Sequence, residues 1–372
     1  MLSVELISIL EKEHLNFITG VPCSYLGDLL SYLTVSTGNV QHIVATSEGE
    51  AIGIAAGYHL ATNKVPIIYM QNSGLGNAIN PLTSLMDREV YSIPSLLFIS
   101  WRGEPGYKDE PQHIKMGKVL LRLLDSLEVP YEFASENATE TALLIHRLKV
   151  LARKNQKPVA LILRSSVIKK SLTKVDDPKK QDLLLREEIL RVLLPKIGNS
   201  PVITTTGKTS REVFEIREKL NQSHKNDFLT VGSMGCASGI AFGISTQFKN
   251  KVYVIDGDGA LLMKLGTIAT VGFYQPRNYV QIIIDNGSYE STGAQPSVSS
   301  ALAWQFLFKG VGYKQIEIIT SRTQLENLSI SNLKSPAAVI VYSKPGSRNN
   351  LGRPTTNPLE NKLNFMKFLL ND

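Results

Sequence analysis

Short, unbroken apolar runs recur along the chain: HIVA, VPIIYM, PSLLFIS and VALILR in the first half, then PVITTT, KVYVI, VQIII and AAVIVY in the second. They lack the apolar–polar alternation of a strand with one wet face, and the stretches between them place apolar residues at helical spacing. Strands apolar on both faces and separated by helices predict parallel sheets covered on both sides. The series breaks once, between Arg164 and Leu184. There RSSVIKKSLTKVDDPKKQDLL is polar, charged and interrupted by Pro178, the composition of an inter-domain linker. The pattern therefore predicts two doubly wound α/β domains, 1–167 and 185–372, joined by a linker at 168–184. No residue-level repeat relates the halves, so any likeness between them is one of fold.

Composition adds mainly exclusions. The 372 residues are 43% hydrophobic and 20% charged, ordinary globular values. MLSVELISILEKEHLNF has neither a basic leader nor a long apolar segment, and no run of about 18 apolar residues occurs elsewhere, so the expectation is a soluble, unexported, cytoplasmic protein without a membrane partner. The two cysteines, Cys23 and Cys236, form no CxxC or Cys/His cluster. They read as small buried residues in a reducing compartment, neither a disulfide framework nor a zinc site. The formal charge of +7 is scattered, with no basic helix or aromatic-interleaved basic run, which argues against nucleic acid. Such a balance suits attraction of small polyanions.

Two runs end in small polar clusters: KVYVI runs into Asp256–Gly259 (DGDG) and VQIII into Asp285–Ser288 (DNGS). Between them ALLMKLGTIATVGFY has helical spacing at Leu261, Leu262, Leu265, Ile268 and Ala269, so the segment reads as strand, helix, strand. Such a crossover returns the second strand parallel to the first and brings both C-terminal ends to one sheet edge. Asp258 and Asn286 then converge. A carboxylate and an amide oxygen are hard donors suited to Mg²⁺ or Ca²⁺, and the backbone carbonyl of Ser288 is a candidate third oxygen. So few protein ligands suit Mg²⁺ completed by phosphate and water. Upstream, FLTVGSMGCASGIAFGIS is a strand entering Gly232, Gly235, Gly239 and Gly243, where glycine lets backbone approach phosphate at a helix N-terminus; the same spacing also suits close helix packing.

In combination, GDG, a helix, a strand and DNGS resemble the thiamine diphosphate signature, in which GDG is followed after roughly thirty residues by Asn-Asn. The first Asn is replaced here by Asp285; the second, which carries the metal in that family, is retained as Asn286. The resemblance implies thiamine diphosphate and Mg²⁺ as cofactors. It places Asp258, Asn286 and Ser288 as metal ligands and Gly207, Gly232, Ser233, Met234, Gly257, Gly259 and Ala260 at the cofactor. That chemistry requires a carboxyl group against the aminopyrimidine ring. HIVATSEGEAIGIAAGYHLAT supplies one where a strand meets a helix, and counting back from Gly57 aligns Glu48 with it rather than Glu50. A carboxylate in a first helical turn is also what the macrodipole favours. Ser73, Gly74, Leu75 and Gly76 form a candidate tight loop near the cofactor. The halves then look like a pyrimidine-binding and a diphosphate-binding domain of the thiamine diphosphate-binding fold, with the middle domain of longer relatives missing. In that family the cofactor lies between domains of two subunits, which implies a homodimer or larger homo-oligomer with the cofactor at the subunit interface.

FITGVPCSYLGDLL, YMQNSGLGNAINPLTSL, WRGEPGYKDEPQH, TTTGKTSRE and GSRNNLGRPTTNPLENK narrow the match, and with them the chain resembles the phosphonopyruvate decarboxylase family over nearly its whole length. Sulfopyruvate decarboxylases, often split into two polypeptides, are close to it. The implied reaction is decarboxylation of 3-phosphonopyruvate to phosphonoacetaldehyde and CO₂ in phosphonate biosynthesis. Gln112-His113 stands where related pyruvate decarboxylases have a His pair, which makes His113 a candidate for proton transfer. Arg102, Lys108, Arg348 and Arg353 are candidate contacts to the substrate anion. Cys236 departs from the His expected in many of these enzymes, so sulfopyruvate stays open as an alternative, as does a cofactor-binding subunit needing a partner. A P-loop reading of TTTGKTS fails because Val202 stands where glycine is required, and no GxGxxG follows an early strand.

Overall fold

The computed structural model describes residues 1–35, 38–169 and 182–371. Of the expected linker, residues 170–181 lie outside the described residues. The chain divides into two compact units, Met1–Val175 with Tyr289–Gln295 and Asp176–Ser288 with Pro296–Asp372.

The first unit holds six strands: β1 (Phe17–Gly20), β2 (Gln41–Val44), β3 (Ile67–Gln71), β4 (Leu96–Ser100), β5 (Tyr131–Phe133) and β6 (Val159–Leu163). They lie in the order β2-β1-β3-β4-β6-β5, every pair parallel. The second unit begins with β7 (Val202–Thr204), β8 (Asp227–Leu229), β9 (Val252–Gly257) and β10 (Tyr279–Asp285); next in the chain comes a short ribbon, β11 (Ser288–Tyr289) with β12 (Gln295–Pro296). With β13 (Gln315–Ile319) and β14 (Ala337–Tyr342) the main strands form a second parallel sheet, β13-β14-β10-β9-β7-β8. In both sheets the chain crosses to the other side of its first strand, between β1 and β3 and between β7 and β9, and crevices at such reversals lie outside the C-terminal strand ends.

Continuous apolar strands are explained by burial on both sides. Along β3, Ile67 and Tyr69 pack with Leu6, Leu10 and Leu148 on one face, while Ile68 and Met70 pack with Ile52, Ala55 and Leu120 on the other. Along β10, Ile282 and Ile284 share a layer with Ile189 and Val213, and Ile283 shares the opposite one with Trp304 and Phe308. All eight runs that carried the expectation are strands.

Three local expectations need correction. The segment after Asp258 is two helices, Asp258–Met263 and Gly266–Tyr274, because Lys264 leaves helical geometry (φ −131°, ψ 42°) and resets the register so that Leu261, Leu262, Ile268 and Val271 all face the core. Cys23 is buried but Cys236 is exposed, at the mouth of the helix Ala237–Ser245. At Gly239 and Gly243 an added Cβ would meet nothing within 4 Å, so neither glycine mediates close helix packing within the chain.

Candidate functional site

The first unit carries one cluster where β2 gives way to the helix Glu48–Thr62. Ser47 caps that helix and Glu50 folds back, its Oε2 accepting from the Thr46 N–H (2.7 Å) and hydroxyl (2.6 Å). This is capping work, done at the surface. Glu48, two residues earlier, is 5% exposed, and its Oε2 accepts from Asn77 Nδ2 at 2.9 Å. Gly74, in the turn after β3, abuts the same carboxyl: a Cβ there would lie 2.2 Å from Glu48 Oε1. Glycine at 74 is therefore what lets the carboxyl occupy its place. Ser73, beside it, accepts from Gln71 Nε2 at 2.6 Å, and Leu75 and Gly76 open the helix Leu75–Ser84.

A second cluster follows β4. Arg102 forms a bidentate pair with Asp109, Nε to Oδ2 at 2.8 Å and Nη2 to Oδ1 at 2.5 Å, and Asp109 Oδ1 also meets His113 Nδ1 at 2.8 Å. Burial would raise the Asp109 carboxyl, but donors from Arg102, His113 and the Glu110 and Gly103 amides hold it well below the usual carboxylate range. For His113, burial lowers the imidazole pKa, reinforced by the Arg102 charge and opposed by Asp109. Beside it the Gln112 amide oxygen is buried without a hydrogen-bond partner among the described residues. Lys108 is exposed.

In the second unit β9 and β10 are neighbours in register, Ile284 opposite Gly257, so Asp258 and Asn286 both follow the same sheet edge. Asp258 is buried, and its Oδ2 accepts from the Ser297 hydroxyl, which also reaches Ser299 Oγ at 2.8 Å. Burial first, then the negative charge of Asp285, pushes the Asp258 carboxyl up to about 6, against the hydroxyls of Ser297 and Ser299 and the Gly259 N–H. Asp285 is occupied differently: Oδ1 accepts from Ser299 Oγ (2.8 Å) and the Gly287 N–H (2.9 Å), Oδ2 from Trp304 Nε1 (2.8 Å). Asn286 Oδ1 accepts from the Ser288 N–H at 2.9 Å and hydroxyl at 3.2 Å.

Glycines around this edge fall into two kinds. Gly207 (φ +93°), Gly232 (φ +71°) and Gly235 (φ +88°) occupy left-handed backbone, as does Ser233 (φ +46°), in the turns after β7 and β8; Met234 is half-buried among them. Gly257 has φ −99°, and a Cβ there would meet nothing within 4 Å, so the fold alone does not demand glycine at that position. Gly259 and Ala260 are buried in the first turn of the following helix.

The donor set fits a hard cation. Asp258 and Asn286 offer oxygen, and among the described residues no three His, Cys, Asp or Glu cluster as a metal cage, so the shell would be completed by other oxygens such as phosphate. Glu48, recessed beside a glycine, fits the demand for a carboxyl against a flat ring. Of the candidate anion contacts, Arg348 binds Glu187 (2.5 Å) and Glu215, tying the loop after β14 to the helices Arg186–Ile197 and Lys208–Lys219; Arg353 is exposed. Asn77, Asp109, Ser297 and Ser299 were not anticipated. Only Asp109 had a legible signal, a carboxylate one helical turn before His113.

Residues 3–120 match the family described as thiamine pyrophosphate enzyme, N-terminal TPP binding domain, and residues 205–314 match its C-terminal TPP binding domain. Phosphonopyruvate decarboxylase of Streptomyces viridochromogenes is 32% identical over 371 residues, covering 95% of this chain and 91% of that protein; that of Streptomyces hygroscopicus is 32% identical, covering 94% and 90%. Sulfopyruvate decarboxylase of Methanosarcina acetivorans is 25% identical, covering 89% and 84%. With both cofactor-binding domain matches and relatives of this similarity along almost the whole length, the chain belongs to the phosphonopyruvate decarboxylase family of thiamine diphosphate enzymes.

Proposed function

We propose that the protein is a carboxy-lyase that converts 3-phosphonopyruvate to phosphonoacetaldehyde and CO₂ with thiamine diphosphate and Mg²⁺, in the cytoplasm and as a homodimer or larger homo-oligomer that shares the cofactor between subunits. The observation that carries this reading is that one chain holds both a recessed carboxyl, Glu48, and the oxygen pair Asp258 and Asn286. A homo-oligomer of it lacks neither half of the machinery.

When bound, thiamine diphosphate supplies a nucleophilic carbon and an electron sink for loss of CO₂. The chain's own residues supply the rest. Asp258 and Asn286, with a backbone carbonyl at Ser288, would hold the Mg²⁺ that neutralises the diphosphate. Glu48 would hold and exchange a proton at its carboxyl group. His113 moves a proton at its ring nitrogen after CO₂ has left, and Arg102 and Lys108 favour an anionic substrate. Sulfopyruvate is the second reading, because a relative of that name also spans both halves in one chain.

The test is aldehyde release by the purified chain from phosphonopyruvate, sulfopyruvate and pyruvate, each with and without thiamine diphosphate and Mg²⁺. Cofactor-dependent turnover fastest on phosphonopyruvate is expected. Preference for sulfopyruvate replaces the substrate and keeps the chemistry; no turnover of any of the three overturns the single-chain enzyme.

A further inference from the structure

We propose that Asp109 is a positioning residue for His113, fixing its imidazole as the Nδ1–H tautomer so that Nε2 presents the lone pair used in proton transfer. The inference rests on the catalytic role proposed for His113 and adds the group that acts through it.

The tautomer follows from counting donors. Asp109 Oδ1 receives Arg102 Nη2 (2.5 Å), the Glu110 N–H (2.7 Å) and His113 Nδ1 (2.8 Å), while Oδ2 receives Arg102 Nε (2.8 Å) and the Gly103 N–H (2.7 Å). The guanidinium and the amides can only donate, and a carboxylate so surrounded is ionised and can only accept. The remaining partner, His113 Nδ1, must bring its own hydrogen. In a neutral ring Nε2 is then the acceptor.

The frame around this pair is tight. Arg102 is held from behind by Ser24 Oγ at 2.8 Å, its guanidinium lies 4.8 Å from the Tyr25 ring centroid, and its backbone is bracketed by Asn72. Gly103 (φ +69°) passes so close to the helix Pro111–Ser126 that a Cβ on it would lie 2.1 Å from the His113 carbonyl oxygen, and one on Gly117 would lie 1.7 Å from the Gly103 oxygen. Loop and helix thus meet backbone to backbone, which fixes the ring in place. At metal-binding histidines, a second group that sets tautomer and ring orientation is worth about 10- to 100-fold, and a loss of that order is expected here.

The test is a long-range ¹H–¹⁵N correlation spectrum of ¹⁵N-histidine-labelled protein at neutral pH, with His113→Gln identifying the ring, alongside turnover of phosphonopyruvate. The wild-type ring should show Nδ1 protonated and Nε2 bare. Asp109→Ala should lose that tautomer and about 10- to 100-fold in kcat with a smaller change in KM. An Nε2–H tautomer in the wild type overturns the inference, and needs no variant to fold. So does an Asp109→Ala protein that keeps wild-type kcat. Full activity in His113→Gln removes the role of His113 itself, a distinct result from either.

Discussion

Replacing Gly74 by alanine probes the geometry around Glu48 directly. The new Cβ would lie 2.2, 2.6 and 2.7 Å from Oε1, Cδ and Cγ of Glu48, all well inside contact distance. The loop resists moving, because Asn72 and Gly74 are buried and Asn72 bridges both backbone polar groups of Arg102, at 2.8 and 3.2 Å. Glu48 must therefore yield, and its 2.9 Å bond from Asn77 breaks. Overpacking costs about 1–3 kcal/mol and leaving a buried polar group without its hydrogen-bond partner about 1–3 kcal/mol, with part of each relieved by the same movement. A net cost of roughly 2–4 kcal/mol corresponds to a fall in Tm of about 5–15 °C for a unit of this size. The decisive assay is a double-mutant cycle by thermal unfolding. In a Glu48→Ala background both the clash and the bond are gone, so Gly74→Ala should cost no more than about 0.5 kcal/mol there. Equal cost in both backgrounds, or none in the wild type, refutes the reasoning.

Asp285→Asn restores the usual signature yet should destabilise the protein by about 1–3 kcal/mol, because an amide NH₂ must face either Trp304 Nε1 or the Gly287 N–H; unchanged denaturation midpoints would sink this. Asp258→Ala should abolish the rise in Tm that thiamine diphosphate with Mg²⁺ gives the wild type, about 2.7 kcal/mol at a hundredfold excess over Kd, and a retained shift would remove Asp258 as a metal ligand. Glu48→Gln should keep that cofactor-induced shift while losing most turnover; a near-normal rate would move the activating role to another carboxyl. Burial pushes the His42 imidazole, hydrogen-bonded to Tyr69 Oη at 2.9 Å, down from 6.5 to about 4. The unfolded chain therefore takes up this proton first as pH falls. Stability is complete above about pH 6.5 and declines by roughly 3 kcal/mol toward pH 4. His42→Gln should flatten that decline, and an unaltered slope would show that the loss has another source.

The central strands were legible because burial on both faces writes itself as an apolar run: β3, β4, β6, β9, β10 and β14 all qualify. The expected series missed β1, β5 and β13. β5 and β13 are edge strands, where YEF is only three residues long and QIEII admits polar positions, and β1 is the four-residue FITG ending in glycine. The helix break at Lys264 was hidden because apolar residues on both sides still point to one core. Sequence spacing placed Asp258 and Asn286 on one edge because a parallel crossover leaves no other choice. It could not find Asn77, which the helix Leu75–Ser84 brings against Glu48, nor Ser297 and Ser299, whose contacts with Asp258 and Asp285 depend on how the chain after β12 folds back over that edge; neither kind of closure leaves a periodic trace.

Asp258 and Asp285 are two buried carboxylates in one serine-bridged cluster, and their surroundings give them different tasks. Asp285 spends both oxygens on three donors, one of them the indole of Trp304, and so anchors β10 to the segment 297–304. An asparagine there could satisfy only part of that set, which gives a physical reason for the departure from the usual pair. The charge so fixed has a consequence for its neighbour. It adds to burial in pushing Asp258 up to about 6, and the Ser297 and Ser299 hydroxyls offset only part of that. A carboxylate buried beside another negative charge is stabilised most by a nearby cation. Together with Asn286 Oδ1 on the adjacent strand, Asp258 is thus the group in this cluster whose ionised form gains most from Mg²⁺, while Asp285 serves as the post that holds the edge in place.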